Sequence, residues 1–325
     1  MKREVTLQIE TWGTKEPFCI TGHTFTEACL LVVILKENGK VGRGEATGVY
    51  YLYETGETLL VQALSIKEEL EQGLDRIHLQ TLLPPGGARN AIDCALWDLE
   101  AKLSGQTIWS LTGIKPAKTN TVYTVGIGTP EAMAASAKKF DSPQIKVKLD
   151  GERPLECIEA VCTARPDAEI VVDVNQGWSF EQLKNLAPKF KQLGVTMIEQ
   201  PLKRGEDAEL EHYRSPVPLC ADESCLDTSE LEQVSRRYQM TNIKLDKTGG
   251  LTEALELARQ AKAKGLGLMV GNMLGTSLGM APAFVVAQYC QLADLDGPIW
   301  LRDDRANAIS FNQGVMSLPT SALWG

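Results

Sequence analysis

The residues best able to do chemistry in this sequence recur on a regular beat. Lys148, Asp173, Glu199, Asp222 and Lys244 follow one another at separations of 25, 26, 23 and 22 residues, and Asp296 comes 52 residues after Lys244. Asp173, Glu199 and Asp222 are three carboxylates that repel one another strongly if a fold brings them together in a low-dielectric setting. A hard divalent cation resolves that repulsion. All-oxygen ligation, with no His or Cys at ligand spacing, favours Mg²⁺ over zinc, with Mn²⁺ as its substitute. Lys146 and Lys148 lie two apart in Ile145–Leu149 and so share one face of a strand. Desolvation and a neighbouring cation are expected to depress the pKa of at least one of them, which makes a base near neutral pH. Lys244 is expected to approach a bound substrate from the side opposite Lys148. Two such lysines suit removal of a proton α to a carboxylate on one face and its return on the other, with the metal stabilising an enediolate. Lys247 is expected nearer solvent.

The elements that must position these residues are legible as texture. Runs rich in Val and Ile fall at Val122–Gly128, Ile145–Leu149, Ile170–Val174, Thr196–Ile198, Leu219–Ala221, Met240–Leu245, Leu266–Val270 and Leu292–Leu295. Amphipathic helical stretches such as Phe180–Leu193 and Leu251–Lys264 lie between them. That alternation predicts a parallel sheet with crossover helices, and eight strands at a near-constant interval predict closure into a barrel. Barrel active sites are built where the strands end, so the polar residues should converge. The first hundred residues differ. Val5–Glu10, Ala28–Leu35 and Val41–Ala46 read as strands, the last two joined by a hairpin at Asn38-Gly39, followed by helices over Leu59–Leu70 and Ala88–Leu103.

Composition narrows the partners. With Lys+Arg 33 against Asp+Glu 42, the net charge of −9 argues against nucleic acid, which needs a basic surface. The longest apolar run, Ala28–Leu35, is too short to span a bilayer, and the N-terminus carries no signal-peptide core, so a membrane role is not expected. Eight scattered cysteines with no CxxC pair read as reduced thiols of a cytoplasmic protein. Gly42-Arg43-Gly44 has the wrong spacing for a dinucleotide-binding turn.

Five motifs carry a resemblance. Lys146-x-Lys148, Asp173-Val174-Asn175, Glu199-Gln200-Pro201, Ala221-Asp222-Glu223-Ser224 and Lys244 through Gly250 resemble the enolase superfamily, muconate-lactonizing subgroup, and Ala88–Leu99 is similar to the subgroup's capping-domain helix. The resemblance implies an α/β fold: a (β/α)7β modified TIM barrel over residues 116–299, with an α+β capping domain over residues 1–115 completed by the C-terminal tail 300–325. It implies that Asp173, Glu199 and Asp222 bind one Mg²⁺ per subunit, that Lys148 and Lys244 are the acid/base pair, and that Lys146 lowers the pKa of Lys148. A homo-oligomer is compatible with it.

Asp294-Leu295-Asp296 is similar to the D-x-D of dipeptide epimerases in that superfamily, where the two aspartates hold the substrate's α-ammonium; an acidic pair suits a cation. The expected substrate is therefore a dipeptide, L-Ala-D/L-Glu or a related L-Xaa-L-Xaa pair, epimerised at its C-terminal residue. A muconate cycloisomerase or o-succinylbenzoate synthase of the same subgroup is the first alternative, and a non-catalytic metal- and peptide-binding barrel the second. The segment Ile20–Glu27 is expected to be a cap loop over the substrate. It holds His23 as its only potential cation and Phe25, which favours an apolar second residue. Tyr51, in the next cap loop, is expected to line the pocket, and Gly271-Asn272-Met273 to place backbone donors near the substrate carboxylate.

Overall fold

The structure is a computed structural model and describes residues 3–325. Strands β1 (Glu4–Ile20), β2 (His23–Glu37) and β3 (Lys40–Ala46) form an antiparallel sheet. Asn38 and Gly39 turn between β2 and β3 with φ of 49° and 73°, the left-handed pair that a two-residue hairpin requires. Ile20–Glu27 is not a loop. Ile20 pairs with His23 and Phe18 with Phe25, so only Thr21 and Gly22 form the turn and both candidate residues sit on β2. Gly22, whose φ is 74°, makes the turn, and the β-formers Phe18 and Ile20 before it and Thr24-Phe25-Thr26 after it carry the two strands through the segment expected as a loop.

Four helices follow: α1 (Gly56–Leu64), α2 (Lys67–Glu71), α3 (Arg76–Leu82) and α4 (Gly87–Ser104). The single helix expected over Leu59–Leu70 is broken because Ser65 Oγ bonds back to Gln62 O at 2.7 Å and Ile66 leaves helical geometry. Helix α4 is buried along most of its length against β3. Gly42 and Gly44 permit this approach: a Cβ at Gly44 would stand 2.2 Å from Ala91 O, and one at Gly42 2.4 Å from Ala95 O. They are packing glycines.

Eight short parallel strands form the second unit, in sequence order from Tyr123–Val125 to Leu292–Ala293. Val122 N donates to Ala293 O at 2.9 Å, joining the first strand's approach to the eighth strand and closing the ring. Val122, Val171, Met197, Cys220, Met269 and Leu292 pack together as an apolar plug in the barrel. Side chains alternate along a strand, so residues two positions on form the next layer toward the strand ends. Those residues include Asp173, Glu199, Asp222 and Asp294. The plug thus sets the floor on which the polar layer stands.

Helix α4 docks onto the barrel directly behind that layer. Arg89 Nη2 donates to Thr248 O (2.7 Å) and Arg89 Nε to Gly249 O (3.2 Å), while Asp93 accepts from Thr252 Oγ1 (2.6 Å) and Thr252 N (3.0 Å). The tail returns to the cap: Arg305 Nη2 pairs with Glu45 at 2.7 Å and buried Trp324 donates to Cys94 O at 2.9 Å. Among the described residues no helix is long and apolar enough to cross a membrane.

Candidate active site

Strand register puts the acid and base groups in one row. Lys148 lies opposite Asp173 and Asp173 opposite Glu199, across the second, third and fourth barrel strands. Asp222 follows the fifth strand and Lys244 ends the sixth. All five side chains are buried. Each of two carboxylates is shared between two ammonium groups. Asp173 Oδ2 is 2.6 Å from Lys148 Nζ and 2.9 Å from Lys146 Nζ, and Asp222 is 2.8 Å from Lys244 Nζ and 2.7 Å from Lys247 Nζ.

Lys247 is therefore not solvent-facing. The single-turn helix Leu245–Thr248 folds it back under the sixth strand, where its ammonium also reaches Asp222 O (2.6 Å) and Asn242 O (2.9 Å). All three donors are used inside the protein. At Lys146 this arrangement does not depress the pKa. Burial would lower Lys146, but Asp173, Asp294 and Glu199 outweigh it and hold its pKa well above the usual value. Lys244 is likewise raised, burial being overcome by Asp222 and Glu199. In return Lys146 and Lys148 overcome the burial of Asp173 and bring its carboxyl down to about 2.

The donor set fits a hard cation. Glu199 is buried, its pKa is raised by burial and then by Asp173, and its Oε2 lies 2.8 Å from Lys146 Nζ as an ion pair without hydrogen-bond alignment. Glu223, which the sequence reading passed over, is also fully buried. Its carboxyl is pushed up to about 8 by burial, Asp222 and Asp173, and its Oε2 has no partner. Its position next to Asp222 was the available signal. Two buried carboxylates with an unpartnered oxygen, Glu199 and Glu223, beside Asp173 and Asp222, match an oxygen-ligated divalent ion, although Lys146 stands between Asp173 and Glu199, and no ready cage of three such groups is set among the described residues. Gln200, at φ 34°, pins the neighbouring loop by accepting from Asp222 N (2.9 Å) and Ser224 N (3.0 Å). This accounts for the glutamine in Glu199-Gln200-Pro201.

Asp294 and Asp296 follow the eighth strand but do different things. Asp294 Oδ2 holds the Lys146 ammonium at 2.6 Å. Asp296 Oδ2 accepts from Thr124 N (2.9 Å) and Trp300 Nε1 (3.4 Å), and burial beside Asp294 pushes it up to about 7. Asn272 spends its side-chain amide on Asp294 O. Met273 lines a cleft with His23, Phe25 and Tyr50. The Tyr51 hydroxyl is buried without a partner, near Asp222 and Glu223. The loop bearing both tyrosines is tied down by Asp246, two residues past Lys244, which accepts from Gly48 N at 3.0 Å.

Gly271 gives space to Lys244. A Cβ there would meet Asn242 Nδ2 at 2.7 Å and Lys244 Cε at 3.0 Å. Gly271→Ala is expected to destabilise the fold by about 1–3 kcal/mol through overpacking and to lower kcat more than it raises KM, because the displaced group is Lys244. Denaturant titration and steady-state kinetics check both; an unchanged kcat would show that Lys244 tolerates the shift.

Two family models match the chain: Mandelate racemase / muconate lactonizing enzyme, N-terminal domain, over residues 2–113, and Enolase C-terminal domain-like over residues 130–322. The sequence is 44% identical over 320 residues to the L-Ala-D/L-Glu epimerase of Escherichia coli (strain K12), covering 97% of this chain and 100% of that protein. Among solved structures, an enolase family member from Agrobacterium tumefaciens with homology to dipeptide epimerases, holding sodium and L-Ala-L-Glu with an ordered loop, matches with a TM-score of 0.97. It is 38% identical, over 99% of this chain and 100% of that one. The dipeptide epimerase from Cytophaga hutchinsonii, complexed with Mg and D-Ala-L-Val, matches with a TM-score of 0.91 at 27% identity, over 98% of this chain and 94% of that one.

Proposed function

The chain belongs to the mandelate racemase / muconate lactonizing enzyme family of the enolase superfamily, and on that premise we propose that it is a Mg²⁺-dependent dipeptide epimerase. The observation that carries this is the pair Lys148 and Lys244, which end the second and sixth barrel strands with the row of carboxylates between them. Asp173, Glu199 and Asp222 would hold Mg²⁺, which supplies electrostatic stabilisation of the charge that develops on the substrate carboxylate as the α-proton leaves. Lys148 takes the α-proton from one face and Lys244 delivers one to the other; in the reverse direction they exchange roles. One lysine must be neutral while the other is charged, so each turnover leaves the pair inverted. Asp294, which already binds an ammonium, and Asp296 beside it would receive the dipeptide's N-terminus. In this reading the barrel, residues 116–299, does the chemistry, and the cap, residues 1–115 with the tail 300–325, covers it. The free cysteines support a cytoplasmic location.

The test is proton exchange. In ²H₂O, dipeptides should gain deuterium at the α-carbon of the C-terminal residue and yield the D-epimer. Both signals should disappear on chelation and return with Mg²⁺ or Mn²⁺. Muconate and the o-succinylbenzoate precursor serve as comparison substrates, and their turnover in place of any dipeptide would overturn the reading. Tight peptide binding with no exchange would instead favour a non-catalytic barrel.

A further inference from the structure

Six rings run in contact across the mouth of the barrel. Trp300 and Phe18 have centroids 4.5 Å apart, Phe18 and Phe25 6.3 Å, Phe25 and Tyr50 5.7 Å, and Tyr50 and Tyr51 5.1 Å; His23 packs on both Phe25 (4.2 Å) and Tyr50 (5.3 Å). The row begins beyond the eighth strand, where Trp300 bonds Asp296, and ends beside Asp222 and Glu223 beyond the fifth. Tyr50 lies within the field of Glu223, Lys244 and Asp222. Rings from β1, β2, the loop after β3 and the segment after the eighth strand thus roof the site, and no single stretch of sequence supplies them.

Against the roof lies a cleft of about 540 Å³, walled by His23, Phe25, Tyr50, Met273 and Leu274 and edged by Glu27 and Glu57. Among the described residues no lysine or arginine lines it. The one ionisable nitrogen base in the wall is His23, packed between Phe25 and Tyr50, and the lysine and arginine near the roof are engaged elsewhere: Lys15 on Ile299 O at 2.8 Å, and Arg204 on Glu230 and on Glu223 O at 2.8 Å. A glutamate side chain entering here would leave water for apolar walls and carboxylates. An aromatic or large aliphatic side chain would meet ring faces and a methionine at no such cost.

The geometry points to a dipeptide whose inverted residue carries an aromatic or large aliphatic side chain, in preference to glutamate. This rests on the epimerase reading and narrows it. The experiment compares kcat/KM for L-Ala-L-Phe, L-Ala-L-Leu, L-Ala-L-Glu and L-Ala-L-Lys in the wild-type enzyme and in Phe25→Arg. The first two should exceed the others by at least about tenfold, the scale on which apolar pockets discriminate. Phe25→Arg should narrow the Phe-to-Glu ratio by about the same factor, whereas Phe25→Leu, which keeps the wall apolar, should preserve the order. Wild-type turnover of L-Ala-L-Glu or L-Ala-L-Lys equal to that of L-Ala-L-Phe overturns the inference, as does a ratio unmoved in folded Phe25→Arg. Absence of exchange with every dipeptide overturns the epimerase reading itself.

Discussion

Lys148→Ala and Lys244→Ala are each expected to lower dipeptide epimerisation by about 10²–10⁴-fold, the contribution of a positioned general acid or base, while leaving the protein folded. The second half of that expectation comes from the paired arrangement of ammonium groups. Asp173 keeps Lys146 at 2.9 Å when Lys148 is removed, and Asp222 keeps Lys247 at 2.7 Å when Lys244 is removed. Neither carboxylate is left as an unpaired buried charge. The two variants should also differ from a general loss of activity in one respect. Each retains the lysine on one face, so each should wash deuterium into one epimer of the substrate without inverting it. Loss of the α-proton signal by NMR reports exchange, and chiral analysis of the product reports inversion. Near-full turnover in either variant would remove that lysine from the mechanism.

Lys247→Met should cost about 1–3 kcal/mol of stability, the scale of leaving buried acceptors without a donor, since Lys244 still pairs with Asp222. The side chain is fully buried, and methionine fills similar space but supplies none of its three donations. Two carbonyls, Asp222 O and Asn242 O, lose their lysine donor, and Asp222 Oδ1 loses its closest cation. Burial would raise Asp222, but Lys244 and Lys247 hold its carboxyl well below the usual carboxylate range. A carboxyl depressed in the folded state contributes stability that is complete above its unfolded value near 4 and is lost as pH falls below it. Asp173, at about 2, acts in the same sense. The stability gap between Lys247→Met and the wild type should therefore be widest near neutrality and shrink below about pH 4. Denaturant midpoints measured across that range check this; a gap independent of pH would mean that lost packing, not charge, dominates.

Much of the barrel is legible in the sequence because each strand announces itself locally. A buried parallel strand is a short Val/Ile run, and the polar residue that ends it stands out against that run. The expected Ile170–Val174 and Ile145–Leu149 each match an observed strand to within one residue at either end. The burial of Lys247 is not legible because it depends on one helical turn after the sixth strand, and nothing in a three-residue spacing reveals whether that turn faces inward. The environment of Lys146 is not legible from its strand alone. Desolvation and a like charge push down, but three carboxylates around Lys146 push up, and their number is visible only once eight strands converge. His23 and Phe25 were misplaced on a loop because threonine-rich polar stretches suit both hairpin strands and loops. The aromatic roof was out of reach altogether, since Phe18 and Trp300 meet across most of the chain.

The return of the tail to the cap has a consequence for biosynthesis. β3 relies on Arg305 to pair with Glu45, and α4 on Trp324 to cover Cys94 O. A nascent chain emerging from the ribosome exposes the first sheet and α4 long before either partner exists. The N-terminal unit cannot finish folding in its turn, as domains made early generally do. The face of α4 on β3 can be covered within that unit, but the face that docks on the barrel and the tail stays open until both have been made. Apolar surface left open during that interval is the kind that makes a partly made chain prone to aggregate.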